Sequence, residues 1–332
     1  MNDTTAPRRF SREGLSNQLR SLLQARELFL VLIIVVGGVV MSYASPIFLR
    51  PGNLKAILLG LSVEATIAAG MTVLLVSGGL DMSVGSTMAF SGVVVTMLMK
   101  GGVPVLPAVL LGLLSGALVG LINGSIVATW KVNPFIVTLG MLSIVRGFVL
   151  LLAQGVTIID LPVAFTMIGQ GEIFGIQYPI VFTILLVLLG DTFLRRSRFF
   201  RQSYYIGGNE KAAVMTGIKV NRVKIINYVI TGLLAAVAGI FFTARLAAAS
   251  VTIGVGLELK VITAAVIGGA SLSGGEGTIA GAFLGSILMA TLINSLNLLG
   301  IDVYWQNVFT GLILVFAVVL DKVLKQRRAE AA

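Results

Sequence analysis

Asp81 and Ser83 lie in the run Gly78-Gly79-Leu80-Asp81-Met82-Ser83-Val84-Gly85-Ser86, where one apolar stretch ends and another begins. Glycines permit a broken helix, and short oxygen-bearing side chains cap a new helix N-terminus. These residue types suit tight turning and capping first, and contact with a polar solute second. Asn133-Pro134-Phe135-Ile136-Val137-Thr138-Leu139-Gly140 has the same character, with Asn133 placed before proline at a helix start and Thr138 one turn further on. Glu64 and Arg146 are the deepest ionisable residues within apolar stretches, where such groups are costly and usually paired or functional. Counted from opposite ends of their stretches at 1.5 Å per residue, they fall about 15 Å and about 12 Å below the same face of a ~30 Å core. Glu64 and Arg146 could form a structural ion pair, line a path, or each find separate polar partners. Arg245, Glu258 and Lys260 lie near stretch ends, where snorkelling is expected.

Absent residue types restrict the chemistry further. The chain has no cysteine and no histidine, which removes disulfides, thiol nucleophiles, serine–histidine dyads and nearly all zinc chemistry. No catalytic, cofactor-binding or metal-binding residue is expected. None of the nine lysines is followed by Ser or Thr, so there is no Walker A phosphate loop. If ATP drives this protein, another subunit must bind it.

The elements that must position these residues are set by composition. The 332 residues are 57% hydrophobic and 11% charged, with mean hydropathy +1.00. Soluble domains carry about 25% charged residues, so a soluble enzyme or a nucleic-acid binder is excluded. About ten apolar spans are expected, near 28–46, 54–78, 84–99, 104–128, 134–154, 179–194, 225–248, 257–272, 277–297 and 304–321. With the N-terminus in the cytoplasm, 18 of the 24 basic residues fall on the cytoplasmic side, against Arg50, Lys55 and Lys100 outside. The net charge of +10 therefore reports topology, with both termini cytoplasmic, rather than nucleic-acid binding.

The expected fold is an all-α integral membrane protein: a cytoplasmic tail at 1–27, a transmembrane domain at 28–321, and a second cytoplasmic tail at 322–332. No cleavable signal peptide is expected. Ten spans divide into two groups of five, and an odd repeat unit places its second copy upside down. Gly112, Gly116, Gly120 and Gly124, and likewise Gly277, Gly281 and Gly285, recur every four residues and predict close helix packing. The loop at 195–224 holds eight basic residues. Within it Asn209 is a good N-cap, Glu210 complements the positive helix end and Gly217 closes the C-terminus, predicting a short helix over 209–217. About seven helical residues do not persist alone in water, so this helix must dock on something.

Four blocks carry a family resemblance. Gly78 to Ser86 resembles the G-G-I-D-L-S-V-G-S signature of ribose-type sugar permeases in bacterial ABC importers, with Leu80 for Ile and Met82 for Leu. Asn133 to Gly147 resembles their N-P-F-I-V-T-L-G-x-x-x-I-x-R-G segment, and Gly207 to Ile218 their cytoplasmic G-G-N-x-x-A-A-x-x-x-G-I loop. Gly268 to Gly285 is similar to their G-G-x-S-L-x-G-G-x-G-T-x-x-G-x-x-x-G. The blocks occur in the family's order between roughly residues 50 and 320. The resemblance implies a ten-span permease of the bacterial inner membrane. Its partners would be a second permease subunit, two ATP-binding subunits and a periplasmic sugar-binding protein. Gly208, Asn209, Glu210, Ala212, Ala213, Gly217 and Ile218 would belong to the coupling helix on the ATPase, with Ala212 and Ala213 as its smooth docking face. A self-contained secondary transporter would need midplane ion sites, for which only Glu64 qualifies. An intramembrane protease lacks its histidine or second aspartate.

Overall fold

The structure is a computed structural model in which residues 26–330 are described. The expected N-terminal tail lies almost wholly outside those residues. Ten helices correspond one for one to the ten expected spans: α1 (Arg26–Ala44), α2 (Pro51–Val76), α3 (Val84–Lys100), α4 (Val105–Trp130), α5 (Pro134–Ala153), α7 (Tyr178–Arg196), α10 (Val220–Leu246), α11 (Leu257–Ile267), α12 (Ile279–Leu298) and α13 (Val303–Glu330). Between α5 and α7 come α6 (Val163–Gln170) and a two-stranded hairpin, β1 (Glu172–Ile173) and β2 (Ile176–Gln177). The basic loop folds as α8 (Arg198–Gly208) and α9 (Glu210–Met215). Its side of the molecule is called the basic face below.

Eight of the ten helices are long and apolar enough to cross a membrane. The other two differ from expectation. Helix α3 has 17 residues and α11 only 11, about 25 Å and about 16 Å of rise. The expected span at 257–272 is therefore a half-span ending at Ile267, because Gly268 closes the helix. In the other direction, α13 continues through Glu330, past the expected boundary at 321.

Prolines start several helices, where a missing N–H costs nothing: Pro51 opens α2, Pro134 opens α5 behind its Asn133 cap, and Pro179 opens α7. Helix α2 is the centre of the molecule, and from Leu61 to Val76 every residue except Glu64 is buried. The main core gathers Ile67, Met71 and Leu75 of α2, Met88 of α3, Ala235 of α10 and Val261 of α11. Helices α1 and α13 leave most of their apolar side chains exposed, as a lipid-facing rim would.

Packing repeats at an offset of five spans. Helix α3 packs on α4, α5 and α10, and α11 packs on α12, α13 and α2, while α2 and α10 cross each other at the centre. These equivalent pairings are what a five-span repeat would produce. The similar-looking clusters Gly78–Ser83 and Gly268–Ser273 are not its equivalents, since one precedes α3 and the other follows α11.

Glycine rows make these contacts, as their spacing predicts. A Cβ on Gly116 would come within 2.5 Å of the Gly232 carbonyl oxygen, one on Gly120 within 2.2 Å of the Tyr228 oxygen, and one on Gly285 within 2.0 Å of the Ala264 oxygen. Gly140 of α5 has nothing within 4 Å. Gly120→Val should therefore destabilise the detergent-solubilised protein by about 1–3 kcal/mol or more through overpacking. Gly140→Ala should not lower the unfolding temperature, since alanine is the better helix former where there is room for it. Equal unfolding temperatures for the two variants would contradict this packing.

Candidate functional site

Two non-helical connectors enter the helical layer from opposite faces. The first, residues 77–83, joins α2 to α3. Met88 of α3 meets Gly239 of α10, and Gly92 meets Thr243. Gly239 is 19 residues from the basic-face start of α10 and Met88 four residues into α3, so the N-terminus of α3 lies about 22 Å along α10, well inside the layer. The second connector, residues 247–256, joins α10 to α11. The two meet where Gly85 touches Gly254: a Cβ on either would fall 2.1 or 2.3 Å from the other's carbonyl oxygen. Only glycine fits at this crossing.

Backbone groups released from helix at such depth need partners within the protein. In the first connector Asp81 supplies them. Its Oδ1 accepts from the Ser83 amide at 2.8 Å and the Ser83 hydroxyl at 2.6 Å. The expected pairing of Asp81 with Ser83 is present, but Ser83 itself makes no side-chain capping bond to α3. Thr138 accepts from the Met82 amide at 3.0 Å, and Asn133 caps α5 by accepting from the Phe135 amide at 2.9 Å. The sequence reading missed two residues here. Asn123 of α4 donates to the Ser83 hydroxyl at 3.0 Å and lies 3.3 Å from Asp81 Oδ2, and the Tyr228 hydroxyl of α10 donates to the Leu80 carbonyl at 3.0 Å. The available signal was weak, because each span carries other polar residues as well, Ser115 and Ser125 beside Asn123, and Asn227 and Thr231 beside Tyr228.

In the second connector, Arg146 of α5 takes the corresponding part. Its Nη1 donates to the carbonyl oxygens of Val251 at 2.8 Å and Ile253 at 2.9 Å. The Glu64–Arg146 ion pair is not formed: neither residue takes part in the described salt bridges. The charge acting on Arg146 is Glu258, and the one acting on Glu64 is Lys260. Both belong to α11. Residues expected to snorkel at a span end are instead carried inward by the connector, because α11 starts inside the layer. Glu64 Oε2 is buried without a hydrogen-bond partner.

The basic-face helices sit under the first connector. Asn209 caps α9, its side chain accepting from the Ala212 amide at 3.0 Å, and Gly217 follows with φ +82°. Glu210, besides starting the helix, pairs with Lys224 at 2.6 Å. The expected Ala212–Ala213 docking face is divided by the fold. Ala213 is 3% exposed, inside a cluster with Ile206, Val220 and Val223, whereas Ala212 is exposed. Val214 and Met215, 57% and 87% exposed, form the outward surface instead. Gly208, Asn209 and Ala212 line a cavity of about 490 Å³ with Tyr204, Thr216 and Ile218.

Helix α8 ties this surface to the spans. Gly207 lies against the Val76 carbonyl at the end of α2, and the Gly275 amide donates to that same oxygen at 2.9 Å. Tyr204 donates to the Gly277 carbonyl at 2.8 Å. Burial, together with the Asp191 carboxylate, pushes the Tyr204 hydroxyl up to about 12, so it stays a donor throughout the neutral range.

Residues 53–318 match the family described as branched-chain amino acid transport system / permease component. The chain is 40% identical to the ribose import permease protein RbsC of Bacillus subtilis, over 89% of this chain and 91% of that protein. It is 36% identical to the L-arabinose ABC transporter permease protein AraH of Azospirillum brasilense, over 90% and 89% of the two chains. It is 34% identical to the D-allose transport system permease protein AlsC of Escherichia coli, over 90% and 91%. No solved structure matches. The chain belongs to this permease family, and it is a multi-pass membrane transport subunit rather than an enzyme.

The position of Ala213 yields a test. Ala213→Glu would place a carboxylate within the chain's own apolar cluster, at a cost of about 3 kcal/mol or more. It should detach α9 and expose 205–220 to limited proteolysis, while Ala212→Glu should leave the cleavage pattern unchanged. An unaltered digest of the Ala213 variant would count against this packing.

Proposed function

We propose that this permease forms the translocation path for a monosaccharide in an ATP-driven importer of the bacterial inner membrane, with the basic face in the cytoplasm. The carrying observation is that relatives named for ribose, arabinose and allose import match about nine-tenths of the chain, including both interrupted spans. The family's printed description names branched-chain amino acids, yet these relatives are named for aldoses, and their similarity runs over about nine-tenths of the chain. The importer would comprise two permease subunits, two ATP-binding subunits and a periplasmic sugar-binding protein. A pair of identical permease subunits is preferred. ATP is used by the partner subunit, so this chain needs no cofactor.

The coupling element would be α9 with its flanks, from Gly208 through Asn209, Glu210, Ala212 and Ala213 to Gly217 and Ile218. Its roles divide. Ala213 and Ile218 fasten it to the bundle, and Val214 and Met215 present an apolar surface to the ATPase. Motion of α9 would reach α8, whose Gly207 abuts the end of α2, immediately before the Gly78–Ser83 connector. Asp81, Ser83, Asn133 and Thr138 would hold that connector as the path opens and closes. Glu64 and Arg146 would act on the opposite connector.

Proteoliposomes containing the permease, its ATPase and its binding protein should take up ribose, arabinose or allose only with ATP, and leucine not at all. Uptake by this chain alone under a proton or sodium gradient would refute the proposal. Met215→Glu should weaken ATPase association by about tenfold or more while leaving the permease folded, as expected for an exposed apolar anchor. Normal association would remove α9 from the coupling role.

A further inference from the structure

The connector from Ser250 to Gly256 is a succession of turns, not a helix. Its own backbone hydrogen bonds are long, Ile253 to Ser250 at 3.3 Å, Val255 to Thr252 at 3.4 Å and Leu257 to Gly254 at 3.3 Å, and a shorter internal contact joins the Ser250 and Thr252 hydroxyls at 3.0 Å. Gly254 and Gly256 both have φ +74°, so the run gains little rigidity from its residue types. Against these weak closures stand the two short bonds from Arg146 to Val251 and Ile253. Both come from the same nitrogen. A hydrogen bond from a charged donor is roughly twice as strong as a neutral one, and stronger still away from water.

We propose that Arg146 is a positioning residue for transport, its single Nη1 holding the Val251 and Ile253 carbonyls so that the turn-rich connector keeps α11 starting inside the membrane. The inference rests on the transport reading above for its uptake arm only. Discontinuous helices at membrane depth form the solute and gating regions of many transporters, and loosening one would disturb the path without unfolding the bundle. Because one nitrogen makes both bonds, lysine can replace arginine here, whereas glutamine supplies only an uncharged, shorter donor. This separates positioning from a need for the guanidinium's shape.

The cysteine-free chain makes the test direct. Val251, partly buried in the connector against Val93 and Val149, is changed to cysteine, and its reaction with a membrane-impermeant maleimide is timed in the assembled importer. Adding Arg146→Gln should raise the labelling rate by about tenfold and lower sugar uptake by at least about tenfold, the loss expected for a charge-assisted hydrogen bond, with the ATPase still co-purifying. Adding Arg146→Lys should leave both rates within about threefold of the parent. Unchanged labelling in the glutamine variant overturns the assignment whatever happens to uptake, and so does parental uptake. If the glutamine variant fails to accumulate, the lysine variant decides: parental labelling and uptake support the proposal, and failure like that of glutamine overturns it. An importer that moves no sugar at all fails the transport reading, while the labelling rates still judge Arg146.

Discussion

A bilayer offers no hydrogen bonds to a backbone that leaves the helix, so each interruption of a span must be satisfied from within the protein. Two interruptions define this permease, and each is met by side chains of neighbouring helices, joined in the first by Asp81 of the connector itself. Asp81, Thr138 and Tyr228 hold residues 80–83, and Arg146 holds Val251 and Ile253. Removing this satisfaction would leave α3 and α11 with no reason to begin inside the layer. The core around Met71, Met88 and Val261 would then lose two of its walls.

Close approach is the second requirement, and glycine meets it. Where the connectors cross at Gly85 and Gly254, carbonyl oxygens lie where any Cβ would be. The same economy runs along α4 and α12, where Gly116, Gly120 and Gly124 press against α10 and Gly285 against α11. With lipid tails as apolar as leucine, contact between helices gains little from hydrophobicity and depends on such fit. A glycine content that would mean loops in a soluble protein here means tight helix contact.

Electrostatics follow topology. Glu64 and Arg146 sit at similar depths by residue counting, yet depth fixes only one coordinate. Position around the helix axis, and the inward start of α11, bring Lys260 toward Glu64 and Glu258 toward Arg146. On the basic face the same distinction separates Ala212 from Ala213. They are adjacent in sequence and about 100° apart on a helix, so one faces out and the other is sealed inside.

Hydropathy alone determined that the chain is an all-α membrane protein and located the ten helices that answer to its apolar stretches, because burying a backbone in lipid demands long apolar runs. Proline, asparagine and glycine spacing determined the starts of α2, α5 and α9 and the glycine seams, since capping and close packing are local rules. The shortness of α11, the partners of Glu64 and Arg146, the roles of Asn123 and Tyr228, and the outward face of α9 were decided by tertiary structure. Each depends on which helices lie side by side and on how far a connector carries the chain into the layer. Neither is a property of any one segment: residues 146 and 251, or 80 and 228, become neighbours only when separate spans have packed.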